Sequence, residues 1–156
     1  KELQKKVFIK HVEIALKHNL PLMIHCRPSV KTMDAYGDIL EILFLYKDRG
    51  VRGNVHFFVG TIDVAQKFLD LGFTMSFTGV VTFTNDYDDV IKMLPLDRIM
   101  SETDSPYVAP EPFRGKRNEP VYVKEVVKRI AVIKGLDEEE TKKAIIENAM
   151  ALFGLI

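Results

Sequence analysis

The chain has 156 residues, 47% of them hydrophobic and 28% charged, and its 22 basic side chains are balanced by 22 acidic ones. That composition supports a real apolar core, and zero net charge excludes whole-chain attraction to nucleic acid or anionic lipid, so any such contact must be local. A single cysteine, Cys26, rules out an intrachain disulfide framework. With an N-terminal KELQKK that lacks the apolar core of a signal peptide, it makes a reducing, cytoplasmic setting the expectation. The longest apolar stretch, 39–46, is interrupted by Glu41 and too short to span a bilayer, so no membrane partner is expected.

Residues 2–18 carry Leu3, Val7, Val12, Ile14, Ala15 and Leu16 among lysines, an amphipathic helix that Asn19, Leu20 and Pro21 bring to a stop. A strand over 22–26 leads through Arg27, Pro28 and Ser29 to a helix over 34–48, which ends ahead of Gly50. The second strand is 53–58. Thr61 then suits the N-cap of a helix that buries Val64, Ala65, Phe68 and Leu69 and ends at Gly72. Residues 73–77 read as the third strand, closed by Thr78 and Gly79; a loop and a short helix over 86–94 follow, and Pro95 breaks the chain before a fourth strand at 98–102. Two helices come last. One starts near Pro120 and ends at Gly135; the other opens on Asp137 and three glutamates, which suit the helix dipole, and runs towards Phe153. Their apolar stripes, Val123, Val126, Val127, Ile130 and Ile133, then Ala144, Ile145, Ala149, Leu152 and Phe153, are expected to pack against a sheet.

Nothing in the chain marks a linker or a second domain, so 1–156 reads as one α/β domain. Short apolar strands separated by helices argue for a parallel sheet, because each parallel crossover needs a dozen or more residues. Four strands amount to about half of a TIM-type (β/α)8 barrel, which commonly takes about 250 residues, and an open flavodoxin-like sheet fits the same pattern. Three of the apolar runs end in metal-ligand residue types: LMIH at 22–25, NVH at 54–56 and IMSETD at 99–104. A parallel barrel gathers strand C-termini on one face, where two imidazoles and a carboxylate suit a divalent cation that acidifies water for hydrolysis.

Six segments carry a more specific signal: PLMIHCR at 21–27, GNVHFF at 53–58, SFTG at 76–79, PLDR at 95–98, ETDSPY at 102–107 and RGKRNEP at 114–120. In order and spacing the chain resembles the TatD family of metal-dependent deoxyribonucleases over essentially its whole length. The resemblance implies a distorted TIM-type barrel of the amidohydrolase-like superfamily, one or two divalent metals (Mg, Mn or Zn), and hydrolysis of DNA phosphodiesters, often from the 3′ end. It also implies that this chain holds only about the last four βα units. His25 and His56 match the metal-binding histidines of the fifth and sixth barrel strands, and Asp104 matches the acidic ligand after the eighth. The family's His-x-His pair and glutamate from the N-terminal half have no counterpart here, so completion by a missing half or by self-association is expected.

Several residues extend that reading. Asp104 is also the candidate catalytic acceptor of a water proton. Glu102, two residues earlier, would face the same way if the strand continued, and would then orient a ligand from behind. Cys26 points away from its neighbour His25 and reads as a packing residue. Arg27, Arg114, Lys116 and Arg117 are candidate phosphate contacts, the last three forming the densest basic cluster of a neutral chain. Tyr107, Phe113 and Phe57 offer faces for base stacking, although aromatic residues at strand ends are more commonly core. Two alternatives stand beside the nuclease: a non-catalytic half-barrel that assembles through its sheet edges, and a metal hydrolase acting on another ester or an amide.

Overall fold

The computed structural model describes residues 1–155; Ile156, the last residue of the expected domain, lies outside them. Helix α1 (Glu2–Lys17) leads into β1 (Leu22–His25), α2 (Asp34–Phe44), β2 (Gly53–His56), α3 (Ile62–Asp70), β3 (Thr74–Phe77), α4 (Asp88–Met93), β4 (Ile99–Ser101), α5 (Val123–Lys134) and α6 (Glu138–Phe153). The four strands form one parallel sheet in the order β1-β2-β3-β4, with His25 paired to His56 and Ser76 paired to Met100 in register. Sequential order means that the winding never reverses. A doubly wound flavodoxin-like sheet reverses at a switch point, so that alternative does not describe this chain.

Side-chain alternation divides the sheet into two different faces. Leu22, Ile24, Val55, Met75, Phe77 and Ile99 join helix residues such as Val12, Leu40, Phe68, Ile91 and Ile130 in a single apolar cluster. The opposite face carries Met23 and His25, Asn54 and His56, then Thr74 and Ser76, and finally Met100 followed by Glu102. Helices therefore cover one side of the sheet, while polar side chains and methionines line the other. On the covered side Tyr36, Phe58, Phe68, Phe73 and Phe77 are all essentially without solvent contact, and their rings meet at centroid distances of 5.4 to 6.4 Å. Tilted and edge-on pairs of this kind add about 0.5–1.5 kcal/mol each beyond the area they bury.

Helix ends follow local chemistry. The Thr61 hydroxyl accepts from Val64 N–H, the Asp137 carboxylate accepts from Glu139 and Glu140 N–H, and Gly135 closes α5 in the left-handed region at φ 65°. Of the α5 stripe, Val126, Val127, Ile130 and Ile133 are in the core and Val123 is half-buried; on α6 only Thr141 and Ile145 are buried, and Phe153 is 39% exposed. The strands are shorter than their apolar runs. Strand β2 stops at His56 because Phe57 turns left-handed (φ 47°), yet Phe58 N–H still reaches Ser76 C=O at 2.9 Å, so the ladder outlasts the strand. Helix α2 ends at Phe44 rather than near 48, and single 3-10 turns occupy Lys47–Arg49 and Gly79–Thr82, the latter where a plain loop was expected.

Candidate active site

The strand C-termini bring together the side chains that the sequence singled out. His25 and His56 are register partners on β1 and β2, and their rings lie 5.7 Å apart between centroids. The His56 imidazole is held at Nδ1 by Glu102 Oε2, while its Nε2 faces Asp104 Oδ1 at 3.6 Å. Glu102 and Asp104 were expected on one side of a continuing strand; instead β4 stops at Ser101 and Asp104 adopts a left-handed backbone (φ 55°), so the two carboxylates take opposite ends of one imidazole. Phe57, immediately after His56, has the same handedness, and non-glycine residues in that region mark positions where the surrounding structure imposes the conformation.

Glu102 is fixed by more than His56. Its Oε1 accepts from Phe57 N–H at 2.7 Å and from the Ser76 hydroxyl. Behind Ser76, the Asn54 amide donates to Ser76 Oγ at 2.8 Å, and the Thr74 hydroxyl donates to Asn54 Oδ1 at 2.9 Å. Asn54, Thr74 and Ser76 are buried, and among the described residues no buried side-chain nitrogen or oxygen lacks a partner. A polar group buried without such a partner costs about 1–3 kcal/mol, so this chain of bonds has to form as a unit. None of the three was read as a site residue. The available signal was the two-residue repeat of Thr74 and Ser76, and of Asn54 and His56, which puts polar groups on one face of two adjacent strands.

The loop that carries Asp104 is fastened from the far side. Asn118, only 2% exposed, donates through Nδ2 to the carbonyls of Thr103 (2.8 Å), Tyr107 (2.7 Å) and Val108 (3.2 Å), while its own N–H donates to Pro106 C=O at 3.0 Å. Gly79 admits the same loop, since a Cβ there would fall 2.9 Å from Pro110 N and 3.1 Å from its Cα. The SFTG and RGKRNEP segments thus share a physical task, which is to hold 103–110 against the end of β4. A third contact works at the end of β2, where Val59 N–H donates to the buried Tyr36 hydroxyl at 3.0 Å. The tyrosine had shown no chemical signal in the sequence.

The basic residues are less free than their sequence implied. The Arg114 guanidinium lies 3.7 Å over the Phe83 ring and donates to Ala109 C=O at 3.1 Å, and Phe113 stacks on Tyr122 at 3.8 Å. Arg27, Lys116 and Arg117 stand exposed, as does Tyr107 at 71%. Cys26 is buried, and burial pushes its thiol up to about 12, with Asp34 and Asp38 adding in the same direction. A cysteine in an unfolded chain ionises near 8.5, so above that pH only the unfolded state gives up the proton. The contribution of Cys26 to stability is therefore complete below about 8.5 and declines as the pH rises towards 12. Thiol reagents at pH 8 are expected to modify it no faster than the protein opens, and rapid alkylation of the native protein would contradict this.

The donor set suits a divalent cation. Two imidazoles and a carboxylate are available, and a histidine whose Nδ1 is held by a carboxylate presents Nε2 as a ligand. His25 stays exposed beside the pair, and among the described residues no three histidine, cysteine, aspartate or glutamate side chains are already gathered tightly enough to close on a metal. The family model described as TatD related DNase matches residues 1–154. The chain belongs to the TatD family. This TatD chain is 42% identical over 155 residues to the "uncharacterized metal-dependent hydrolase YabD" of Bacillus subtilis (strain 168), covering 98% of itself and 58% of that protein. It is 41% identical over 152 residues to the "uncharacterized metal-dependent hydrolase YcfH" of Escherichia coli (strain K12), covering 96% and 55%. Among solved structures, YjjV, a TatD homologue from Escherichia coli K12, superposes with a TM-score of 0.86 at 24% identity, covering 98% of this chain and 57% of that one. A TatD family hydrolase from Entamoeba histolytica follows at 0.79 and 23%, with the same coverage. These likenesses establish the fold, and the TatD chain spans a little more than half the length of the relatives it matches.

Proposed function

We propose that this chain provides the C-terminal half of a metal-dependent deoxyribonuclease barrel, in which His25, His56 and Asp104 hold one or two divalent cations (Mg, Mn or Zn) and DNA is the substrate. The observation that carries the reading is the His56 imidazole, held at Nδ1 by Glu102 and turned at Nε2 towards Asp104. A bound cation supplies Lewis acidity towards water and a phosphoryl oxygen. The chain's own groups supply the rest. Glu102 keeps the His56 ring in place, and Asp104 receives a proton from the attacking water as its oxygen bonds to phosphorus, one ester P–O bond breaks and the leaving sugar oxygen takes a proton from solvent. Lys116, Arg117 and Arg27 meet backbone phosphates from the rim, and Arg114 shapes the loop that presents them.

Support for a half-barrel comes from the faces left open. Met23 and His25 at the β1 edge are exposed, and α1 turns Leu3, Val7 and Ile14 to solvent at the i, i+4, i+11 spacing of a single helix face, next to an exposed Leu20. The same surface favours a second reading, a half-barrel that pairs with another copy of itself, and light scattering of the purified chain separates monomer from dimer. The functional test uses the intact protein on DNA, on a carboxyl ester and on an amide, each with and without a chelator. Cleavage of DNA alone, abolished by chelation and restored by adding back Mg²⁺ or Mn²⁺, is the expected result; equal or greater cleavage of the ester or amide would reassign the substrate. Replacing Lys116 and Arg117 by alanine is expected to flatten the salt dependence of DNA binding by about one to two units of slope. No helix among the described residues is long and apolar enough to cross a membrane.

A further inference from the structure

We infer that Ser76 is a positioning residue for the candidate metal site, acting through Glu102 to hold His56 in the one neutral form that offers Nε2 as a ligand. The inference rests on the metal-site reading above and concerns a residue that itself touches neither metal nor substrate.

The argument is one of donors and acceptors. Asn54 and Thr74 fill the first part of the chain of bonds: the Thr74 hydroxyl donates to Asn54 Oδ1 at 2.9 Å, and the Asn54 amide donates to Ser76 Oγ at 2.8 Å. Ser76 accepts from Asn54, so its single hydroxyl proton is left to donate. The near acceptor is Glu102 Oε1, the alternative being Val55 C=O at 3.4 Å. Phe57 N–H also donates to Oε1, at 2.7 Å. With two donors converging on Oε1, that oxygen of Glu102 is occupied as an acceptor, and Oε2 is left to accept from His56 Nδ1–H. A neutral imidazole that is protonated at Nδ1 carries its lone pair on Nε2, the nitrogen facing Asp104 Oδ1 at 3.6 Å. Two acceptors then face each other across that gap, which is the arrangement a cation completes.

The placement of Ser76 is also more than packing requires. It is 3% exposed, in register with Met100, with apolar Met75 and Phe77 on either side along the strand. An alanine or valine would fill the same interior position without a polar atom to satisfy. The hydroxyl instead joins two groups, accepting from the buried Asn54 amide on one side and donating to Glu102 on the other.

The test reads the His56 ring directly, by ¹⁵N–¹H correlation NMR on metal-free, ¹⁵N-histidine-labelled full chain at a pH where the imidazole is neutral. The wild-type protein is expected to show one protonated and one unprotonated ring nitrogen for His56, with the proton on Nδ1. Ser76→Ala is expected to give averaged shifts from a mixture of the two neutral forms, and about tenfold weaker binding of Mn²⁺ alone. A single Nδ1–H form in Ser76→Ala, with unchanged Mn²⁺ affinity, would overturn the inference. If Ser76→Ala does not fold, the matched pair Ser76→Thr and Ser76→Val decides. The two side chains have equal size, and only threonine keeps a hydroxyl; a single form in Thr with a mixture in Val supports the role, and the same spectrum in both removes it. Because the spectra are recorded without metal or DNA, failure of the nuclease reading would leave them interpretable, and failure here would leave DNA cleavage untouched.

Discussion

His56→Ala and Asp104→Ala are each expected to reduce DNA cleavage by the intact protein about a thousandfold or more, with the fold retained by circular dichroism. The magnitude follows from the several kcal/mol of charge stabilisation that a bound cation contributes, each 1.36 kcal/mol being worth a factor of ten in rate. His56 stands at the centre of the cluster, held at Nδ1 by Glu102 and facing Asp104 at Nε2. Removing it leaves Glu102 with two donors and no imidazole, and takes away the imidazole that faces Asp104. On the proposed reading, Asp104→Ala removes a metal ligand and the proton acceptor together. His25→Ala is the useful contrast, because His25 is exposed and touches the cluster only through its ring, so its loss should cost less. Cleavage within tenfold of wild type for both His56→Ala and Asp104→Ala would sink the assignment, whatever the metal dependence.

The order of elements was legible because each depends on local patterning. The 3.6-residue spacing of α5, the Thr61 and Asp137 caps and the glycine after α5 speak through neighbours in the chain, and the structure keeps all of them. Strand ends were less so. Runs such as 53–58 remain apolar past the strand because Phe58 is core, yet the backbone turns at Phe57, and that turn is set by Glu102, 45 residues away, which accepts from Phe57 N–H. The strand order was likewise beyond pattern alone, since parallel pairing is a contact between distant segments.

At the site, residue types showed in the sequence and their relations did not. A histidine at the end of an apolar run can be recognised; that Glu102 and Asp104 would flank it from opposite ends cannot, because strand alternation describes their directions only while the strand continues, and β4 stops at Ser101. Ser76 and Asn54 were hidden for a related reason. Small polar residues in a strand have no signature of their own, and only their shared face and burial reveal that they bond to one another. Charge density in the basic loop likewise says nothing of relations: the Arg114 guanidinium lies over the Phe83 ring and donates to the Ala109 carbonyl.

The residue in that loop with the largest structural consequence is uncharged. Asn118→Ala is expected to destabilise the protein by about 3 kcal/mol, because it deletes the donor shared by three carbonyls at Thr103, Tyr107 and Val108 and leaves buried acceptors to find water or go unpaired. For a chain of this length that corresponds to a fall in Tm of roughly 6–12 °C. The loss should be local before it is global. Residues 103–108 include two in the left-handed region, Asp104 and the β-branched Val108 (φ 56°), conformations that persist only while the surroundings enforce them. Hydrogen exchange should therefore rise first at 103–110, and Mn²⁺ binding should weaken along with it, since Asp104 loses its fixed position. Asn118→Asp sharpens the test: it keeps the size but turns the donor into an acceptor aimed at three carbonyls, and should be at least as damaging as alanine. A melting temperature within about 2 °C of wild type for both variants would show that the Asp104 loop is held by other means, leaving Gly79 and the β4 end as the contacts to examine.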